Sequence, residues 1–358
     1  MNFNSKKCEL CSSSSLTFKS IYGPKSYWSG DIKKVSKYNF KICKNCSFTK
    51  NLNYEAINFS KNNYDNFTIS TSIDFREKIL AETIINYAKE LNFKKDNLTI
   101  IEFGTGFRLG LLEELIKSLP FAKFFAVDSI FENKDLSHKN INFLNSINSL
   151  ETSGENTIFI ARNSLEYLNI QEIKNLFKKI FKDKGLFCAE LTNLKIEKMG
   201  SSFFYTECSS FYSDKSLEII FESIDLKMDN LTKNFLYGDI REIILSNIFK
   251  KSKFDNILYF DDINSLFKFC EKKKKSNNFV LWGLGGRNIS LILNEFNYLV
   301  NRIVDSDKKR VGLNIQNNWK VEDVSKVLKD DIIICMNTRF IHSIRERYKK
   351  NLVVTIKN

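Results

Sequence analysis

The stretch that decides the fold is IEFGTGFRLG, residues 101–110. It closes an apolar run that starts at Leu98 and opens onto LLEELIKSL, where apolar residues recur at helical spacing. Glycines at 104 and 106, with Thr105 between them, let the backbone turn sharply and approach a ligand closely. Glu102, at the strand end, can accept hydrogen bonds from a positively charged amino-acid group, and the helix start offers unpaired N–H groups. The next apolar run, 124–127, ends in Asp128, where a carboxylate can bond both hydroxyls of a ribose. The third glycine common in such turns is absent, and Arg108 holds its place. A purely structural turn is the competing reading of the glycines.

Working outward, short apolar runs alternate with helical patterns, the signature of a parallel sheet with crossover helices. Strands are expected at 98–103, 124–127, 141–144, 157–161 and 185–191, helices at 109–119 and 171–181, and an amphipathic helix at 75–91 ahead of them. In an open sheet of this kind ligands meet beyond the carboxyl ends of the strands. Arg162 and Asn163, just past the fourth strand, therefore join the cofactor candidates, and Glu166 lies near them.

Before this region stand two C-x-x-C pairs, Cys8/Cys11 and Cys43/Cys46. Each pair can present two thiolates to one metal from a tight turn. Roughly fifty residues cannot bury a sufficient core unaided, so a Zn2+ ion would supply the missing stabilisation. Four thiolates fill a tetrahedral shell and leave no position open for catalysis. A redox role for one pair is the alternative. Tyr64, in the polar bridge that follows, is a candidate for substrate contact.

Residues 203–217, FFYTECSSFYSDKSL, gather Tyr205, Glu207, Cys208 and Tyr212 ahead of an amphipathic helix. Glu207 is the candidate general base and Tyr205 its catalytic partner, with Tyr212 a substrate contact; packing of the two tyrosines beside a solvated Glu207 is the competing reading. After the charge run 272–275 a further α/β segment begins, with strands expected at 278–282, 299–304 and 331–336 and a helix at 287–296. Its turn WGLGGRN (282–288) and the strand end at Asp305 make Gly283, Gly285, Gly286, Arg287 and Asp305 candidates for a nucleotide or phosphate. Close backbone packing explains these glycines almost as well. His138 and His342, the two histidines, have no metal-ligand partner nearby in sequence.

The chain has 358 residues, enough for two or three cores. Its 55 Lys+Arg against 42 Asp+Glu leave a formal charge of +13, but the lysines are scattered along helix-like segments rather than gathered in an arm. This reads as a solvated lysine-rich surface and disfavours a nucleic-acid partner. No stretch matches the roughly 18–20 apolar residues of a membrane span, and residues 1–11 lack the apolar core of a secretory signal. A cytoplasmic protein is expected, whose eight cysteines are thiols or metal ligands.

The order strand, Glu-x-Gly-x-Gly, helix, strand, Asp resembles class I S-adenosylmethionine methyltransferases. Taken whole, the chain resembles the sugar C-methyltransferases of bacterial deoxysugar and surface-polysaccharide pathways, through its four-cysteine module, central glycine turn, WGxGG turn and VDS strand end. The resemblance implies an α/β fold: a zinc module (1–55), a Rossmann-like methyltransferase domain (56–250) and a smaller C-terminal Rossmann-like domain (251–358) that helps hold the acceptor. It implies methyl transfer from S-adenosylmethionine to a nucleotide-activated sugar or related surface-glycan precursor. An RNA methyltransferase and a non-catalytic sugar-nucleotide binder are the rival readings. The family usually has Tyr-His-Glu-His where this chain has Tyr205, Thr206, Glu207 and Cys208, and a histidine where Tyr167 stands. A thiol is not a substitute for a base that titrates near neutrality, so proton transfer falls to Glu207 or a tyrosine, or the acceptor differs. Oligomeric state is left open.

Overall fold

The computed structural model describes residues 6–24, 35–54, 75–90, 92–93, 97–132, 136–150, 156–181, 185–191, 208–226, 256–284, 291–315, 319–336 and 341–356. Three sheets organise them.

The central sheet is built from β4 (Thr99–Phe103), β5 (Lys123–Val127), β6 (Ile141–Leu144), β7 (Thr157–Arg162) and β8 (Gly185–Glu190), in the order β6-β5-β4-β7-β8. Every pairing is parallel. Alternation along the strands decides which side chain faces which layer. Ile100, Phe124, Ile158 and Leu186 meet α1 (Phe75–Glu90) and α2 (Gly110–Ser118) through Leu80, Ile84, Leu111 and Leu115. Their neighbours Ile101, Phe159 and Phe187 face the other way, onto α3 (Ile170–Ile180) and α4 (Asp214–Glu222). On that side Phe177 stacks on Phe221 with ring centroids 4.7 Å apart. Asn169 starts α3 through a capping box with Glu172, which pairs two backbone N–H groups that the helix itself leaves unbonded.

A second sheet repeats this plan with β10 (Ile257–Phe260), β11 (Phe279–Trp282), β12 (Arg302–Asp305), β13 (Asn314–Ile315), β14 (Trp319–Asp323), β15 (Ile332–Ile334) and β16 (Val353–Ile356). Its order is β10-β16-β15-β11-β12-β14-β13. Around β11 the sequence of neighbours matches that around β4, with β10 added at one edge and β13 paired antiparallel at the other. Helix α5 (Ile263–Lys273) covers one face and α6 (Ile341–Arg347) the other. The charge run 272–275, expected to precede this segment, instead closes α5, where cations complement the helix dipole. Of the helix expected at 287–296, residues 291–296 are described and carry a wide turn over Ile292–Phe296. Asp305 is covered from its own side by the chain that leads into β13 and β14, strands with no counterpart in the sequence reading.

The N-terminal sheet, β1 (Leu16–Pro24), β2 (Val35–Cys43), β3 (Thr49–Asn51) and β9 (Ser210–Phe211), is antiparallel. Among the described residues its buried side chains join the cores of the two α/β units. Ile21, Tyr38, Phe40, Ile42 and Phe211 enter the core of the second α/β sheet, whereas Cys8, Cys43, Cys46 and Phe48 pack with α3 and α4 of the central one.

Candidate functional site

The turn after β4 is held open by contacts that need glycine at one place and tolerate nothing larger there. Gly104 adopts φ +70, and a Cβ on it would lie 2.2 Å from the Ser164 Cβ. That contact brings the loop after β7 against the loop after β4, on the two sides of the point where strand order reverses. Ser164 Oγ fastens the pair by donating to the Phe103 carbonyl at 2.8 Å, and Gly104 N donates to the Val127 carbonyl at 2.8 Å. Gly106 differs: φ is +61, yet a Cβ there would meet nothing within 4 Å. Its conformation needs glycine while the space beside it stays open, which suits a ligand passing close to backbone. Thr105 is buried and turns its hydroxyl back to donate to the Glu102 carbonyl at 2.8 Å.

Asp128 closes β5 and grips this turn. Its Oδ2 accepts from Gly106 N at 2.8 Å and its Oδ1 from Ile130 N at 3.1 Å. Desolvation raises its pKa above the usual aspartate value despite those two bonds. The half-buried carboxylate keeps further lone pairs, since each oxygen accepts twice.

Glu102 is 1% exposed and sits in a cluster of charges. Arg162 Nε donates to Glu102 Oε1 at 2.6 Å, and its Nη2 reaches the same oxygen. Glu102 Oε2 is buried without a hydrogen-bond partner among the described residues. Burial pushes the Glu102 pKa up, opposed by the charge of Arg162 and reinforced by the neighbouring carboxylates of Glu77 and Asp128. Glu77, in the first turn of α1, is equally buried. Its Oε1 lies 3.2 Å from Arg108 Nη2 and 3.6 Å from Arg162 Nη1. Arg108 thus pairs with a helix carboxylate rather than filling the turn. Neither Glu77 nor the pairing of Arg108 was legible as a site feature, because a lone glutamate in an amphipathic helix reads as part of a solvated face. Asn163 is exposed at φ +50, a backbone region asparagine tolerates.

The four N-terminal cysteines converge. Their sulfurs lie within 4.8 Å of one another, with Cys8–Cys46 at 3.8 Å and Cys11–Cys43 at 3.5 Å. A tetrahedron with Zn–S bonds of about 2.3 Å has edges of about 3.8 Å, so the set fits one zinc ion. None of the four is in a disulfide. Cys8 is lowered to about 5, chiefly by its contact with Cys46, which is raised in turn. A divalent cation held there would resolve that opposition by taking both sulfurs as thiolates. The site is tied to the central unit through Ser213, whose Oγ caps α4 by accepting from Ser216 N and donates to the Cys46 carbonyl at 2.7 Å.

The remaining candidates divide. Tyr212 is 1% exposed, packs against Phe48 with ring centroids 5.6 Å apart, and donates its hydroxyl to the Leu168 carbonyl at 2.7 Å. Its ring and hydroxyl are both committed to the core, which corrects the expectation of a substrate contact. Gly283 takes φ +80 and donates to the Val304 carbonyl at 2.7 Å. Asp305 is buried, with Oδ2 accepting from Leu284 N at 2.8 Å and lying 3.4 Å from Arg310 Nη1, and Oδ1 accepting from Asp307 N at 2.8 Å. Tyr64, Tyr205, Glu207, Gly285, Gly286 and Arg287 lie outside the described residues. His138 pairs with Glu113 at 2.7 Å, and among the described residues neither belongs to the cysteine group that could hold a metal. Among the described residues no helix is long and apolar enough to cross a membrane.

No family model and no curated protein matches the chain. Solved structures do. The plantazolicin methyltransferase BpumL in complex with SAH is 18% identical over 50% of this chain, with a TM-score of 0.27. The same enzyme with a monoazolic desmethylPZN analog and SAH gives 19% identity and the same TM-score of 0.27. In both cases the match covers 66% of the other chain, just under two thirds of its length. A dipicolinate synthase component from Bacillus halodurans is 11% identical over 68% of this chain and 75% of its own, with a TM-score of 0.22.

Proposed function

We propose that this chain is an S-adenosylmethionine-dependent methyltransferase that acts in the cytoplasm on a nucleotide-activated sugar or related surface-glycan precursor. The supporting observation is the pairing of an open glycine at 106 with two carboxylates, Glu102 and Asp128, on either side of one turn. This set fits a ligand with an ammonium group at one end and a ribose at the other. Glu102 would take the ammonium on its unpartnered oxygen, and Asp128 would accept from the ribose hydroxyls. Gly104, Thr105 and Asn163 shape the turn between them, and Arg162 holds Glu102 in place. The cofactor supplies a methyl group on sulfonium, and the protein contributes mainly proximity and alignment of the acceptor. Glu207 removes the acceptor proton with Tyr205 as its catalytic partner, both in the sequence stretch ahead of β9. Tyr64 and the second glycine turn (Gly283, Gly285, Gly286, Arg287, with Asp305 as its brace) hold the nucleotide end of the acceptor. The division into 1–55, 56–250 and 251–358 belongs to the same proposal, as does zinc at Cys8, Cys11, Cys43 and Cys46.

Isothermal calorimetry with S-adenosylhomocysteine, followed by transfer of labelled methyl from S-adenosylmethionine to a panel of nucleotide-linked keto sugars, tests this. Binding together with sugar labelling is expected, and labelling lost in Glu207→Gln. No binding of S-adenosylhomocysteine would end the proposal, and labelling confined to RNA would replace the acceptor.

A further inference from the structure

The cluster around Glu102 is larger than a single acceptor needs. Two carboxylates, Glu77 and Glu102, are each 1% exposed, and two guanidiniums, Arg108 and Arg162, face them. Burying two ion pairs is weak support for stability, because the desolvation cost offsets most of the attraction. Placement gives a better account. Glu102 is the penultimate residue of β4, Arg108 lies two residues beyond the open Gly106, and Arg162 ends the neighbouring strand β7. Arg162 has 15% of its side chain exposed and is turned inward to Glu102, whereas Arg108 has 34% exposed. The cluster is electrically balanced, yet its acceptor (Glu102 Oε2) and its most accessible cation are different groups on the same turn.

We propose that Arg108 binds the α-carboxylate of the cofactor's amino-acid end while Glu102 takes its ammonium, with Glu77 as the positioning residue that holds Arg108 for this role. The proposal rests on the methyltransferase reading above and deepens it. A zwitterion presents one charge of each sign about one short side chain apart, and a guanidinium matches a carboxylate with two parallel N–H donors. Arg108 then has a function in the position where a third glycine is missing, and α1 becomes part of the binding site through Glu77. Arg162 opposes the burial that pushes the proton affinity of Glu102 up.

The test compares S-adenosylhomocysteine with 5′-methylthioadenosine, which keeps the nucleoside and lacks the amino-acid end. Both are titrated calorimetrically into the wild type, Arg108→Gln, Arg108→Lys and Glu77→Gln. The wild type is expected to prefer S-adenosylhomocysteine. Arg108→Gln should lose about 30-fold in affinity for it and leave 5′-methylthioadenosine unchanged, the loss expected for a charge-assisted contact. Arg108→Lys should recover part of that loss, and Glu77→Gln should narrow the preference without altering the truncated ligand. Undiminished affinity in Arg108→Gln would overturn the proposal and leave the methyltransferase reading intact, and so would equal binding of both ligands by the wild type. A wild type that binds neither would overturn both. Should Glu77→Gln not fold, the Arg108 pair still decides, because that side chain is partly exposed.

Discussion

Two turns in this molecule obey one hydrogen-bond rule and end in different states. After β4, Gly104 N bonds the Val127 carbonyl, Gly106 N bonds one oxygen of Asp128, and Ile130 N bonds the other. After β11, Gly283 N bonds the Val304 carbonyl, Leu284 N bonds one oxygen of Asp305, and Asp307 N bonds the other. The difference lies in what else reaches the aspartate. Asp305 is buried and has Arg310 within 3.4 Å, whereas Asp128 is half-buried and its largest perturbation is desolvation rather than a partner charge. A carboxylate already neutralised by its own chain serves as a brace, and one left with spare lone pairs can serve a ligand. The repeat is invisible residue by residue, since the bonded N–H belongs to the second residue after the first glycine in one turn and to the next residue in the other.

The largest expected perturbation is removal of the zinc proposed at the four cysteines, which asks whether the second unit depends on the N-terminal sheet more than the central one. Chelation should lower the calorimetric midpoint by on the order of 10 °C, with recovery on adding Zn2+. An unchanged scan would show that the four cysteines hold no structural ion. Next come the glycines of the first turn. Gly104→Ala forces a Cβ onto Ser164 at 2.2 Å and should cost about 3 kcal/mol in denaturant unfolding. Gly106→Ala carries only the backbone penalty of about 1 kcal/mol but should weaken S-adenosylhomocysteine binding more than any change at 283. Equal effects at 104 and 106 would break the distinction between a packing glycine and a ligand glycine.

The aspartates should separate in the same manner. Asp305→Asn is expected to lose about 2 kcal/mol of stability, because an amide cannot accept from both Leu284 N and Asp307 N, with cofactor affinity unchanged. Asp128→Asn should lose about 10-fold in affinity with little change in stability. The reverse pattern would reassign the cofactor to the second turn. Smaller still is the pH effect. The raised pKa of Asp128 means the folded state holds its proton more tightly than the unfolded chain. Its contribution to stability is therefore greatest below the unfolded aspartate value and falls as pH rises through the raised one. Ligand affinity should run the other way, falling on acidification before an ordinary aspartate would titrate. A calorimetric pH series on wild type and Asp128→Asn checks this, and identical profiles would remove Asp128 from the site. The smallest expected effect is at Asn294, whose side chain accepts from Tyr22 N at 2.9 Å and donates to the Tyr22 carbonyl at 2.8 Å. Asn294→Ala should cost about 1 kcal/mol, measured by denaturant unfolding.

What the sequence determined by itself is local and periodic. Alternation such as Ile100 to one face and Ile101 to the other marks the strands, glycines at 104 and 106 mark the turn, and two C-x-x-C pairs supply the four thiolates that would complete one tetrahedron around a metal. Signals of this kind survive in a window of a few residues because backbone geometry repeats over that length. Only the tertiary structure decided which charges meet. Glu77, Arg108 and Arg162 are far apart in sequence; Glu77 alone looks like a residue turned to solvent, and neither the missing glycine at Arg108 nor the place of Arg162 past its strand says which carboxylate each meets. Tyr212 looked like a site aromatic until Phe48 and Leu168 enclosed it. Coulomb attraction and burial depend on distance in space, and separation along the chain carries no information about that until the strands have chosen their neighbours.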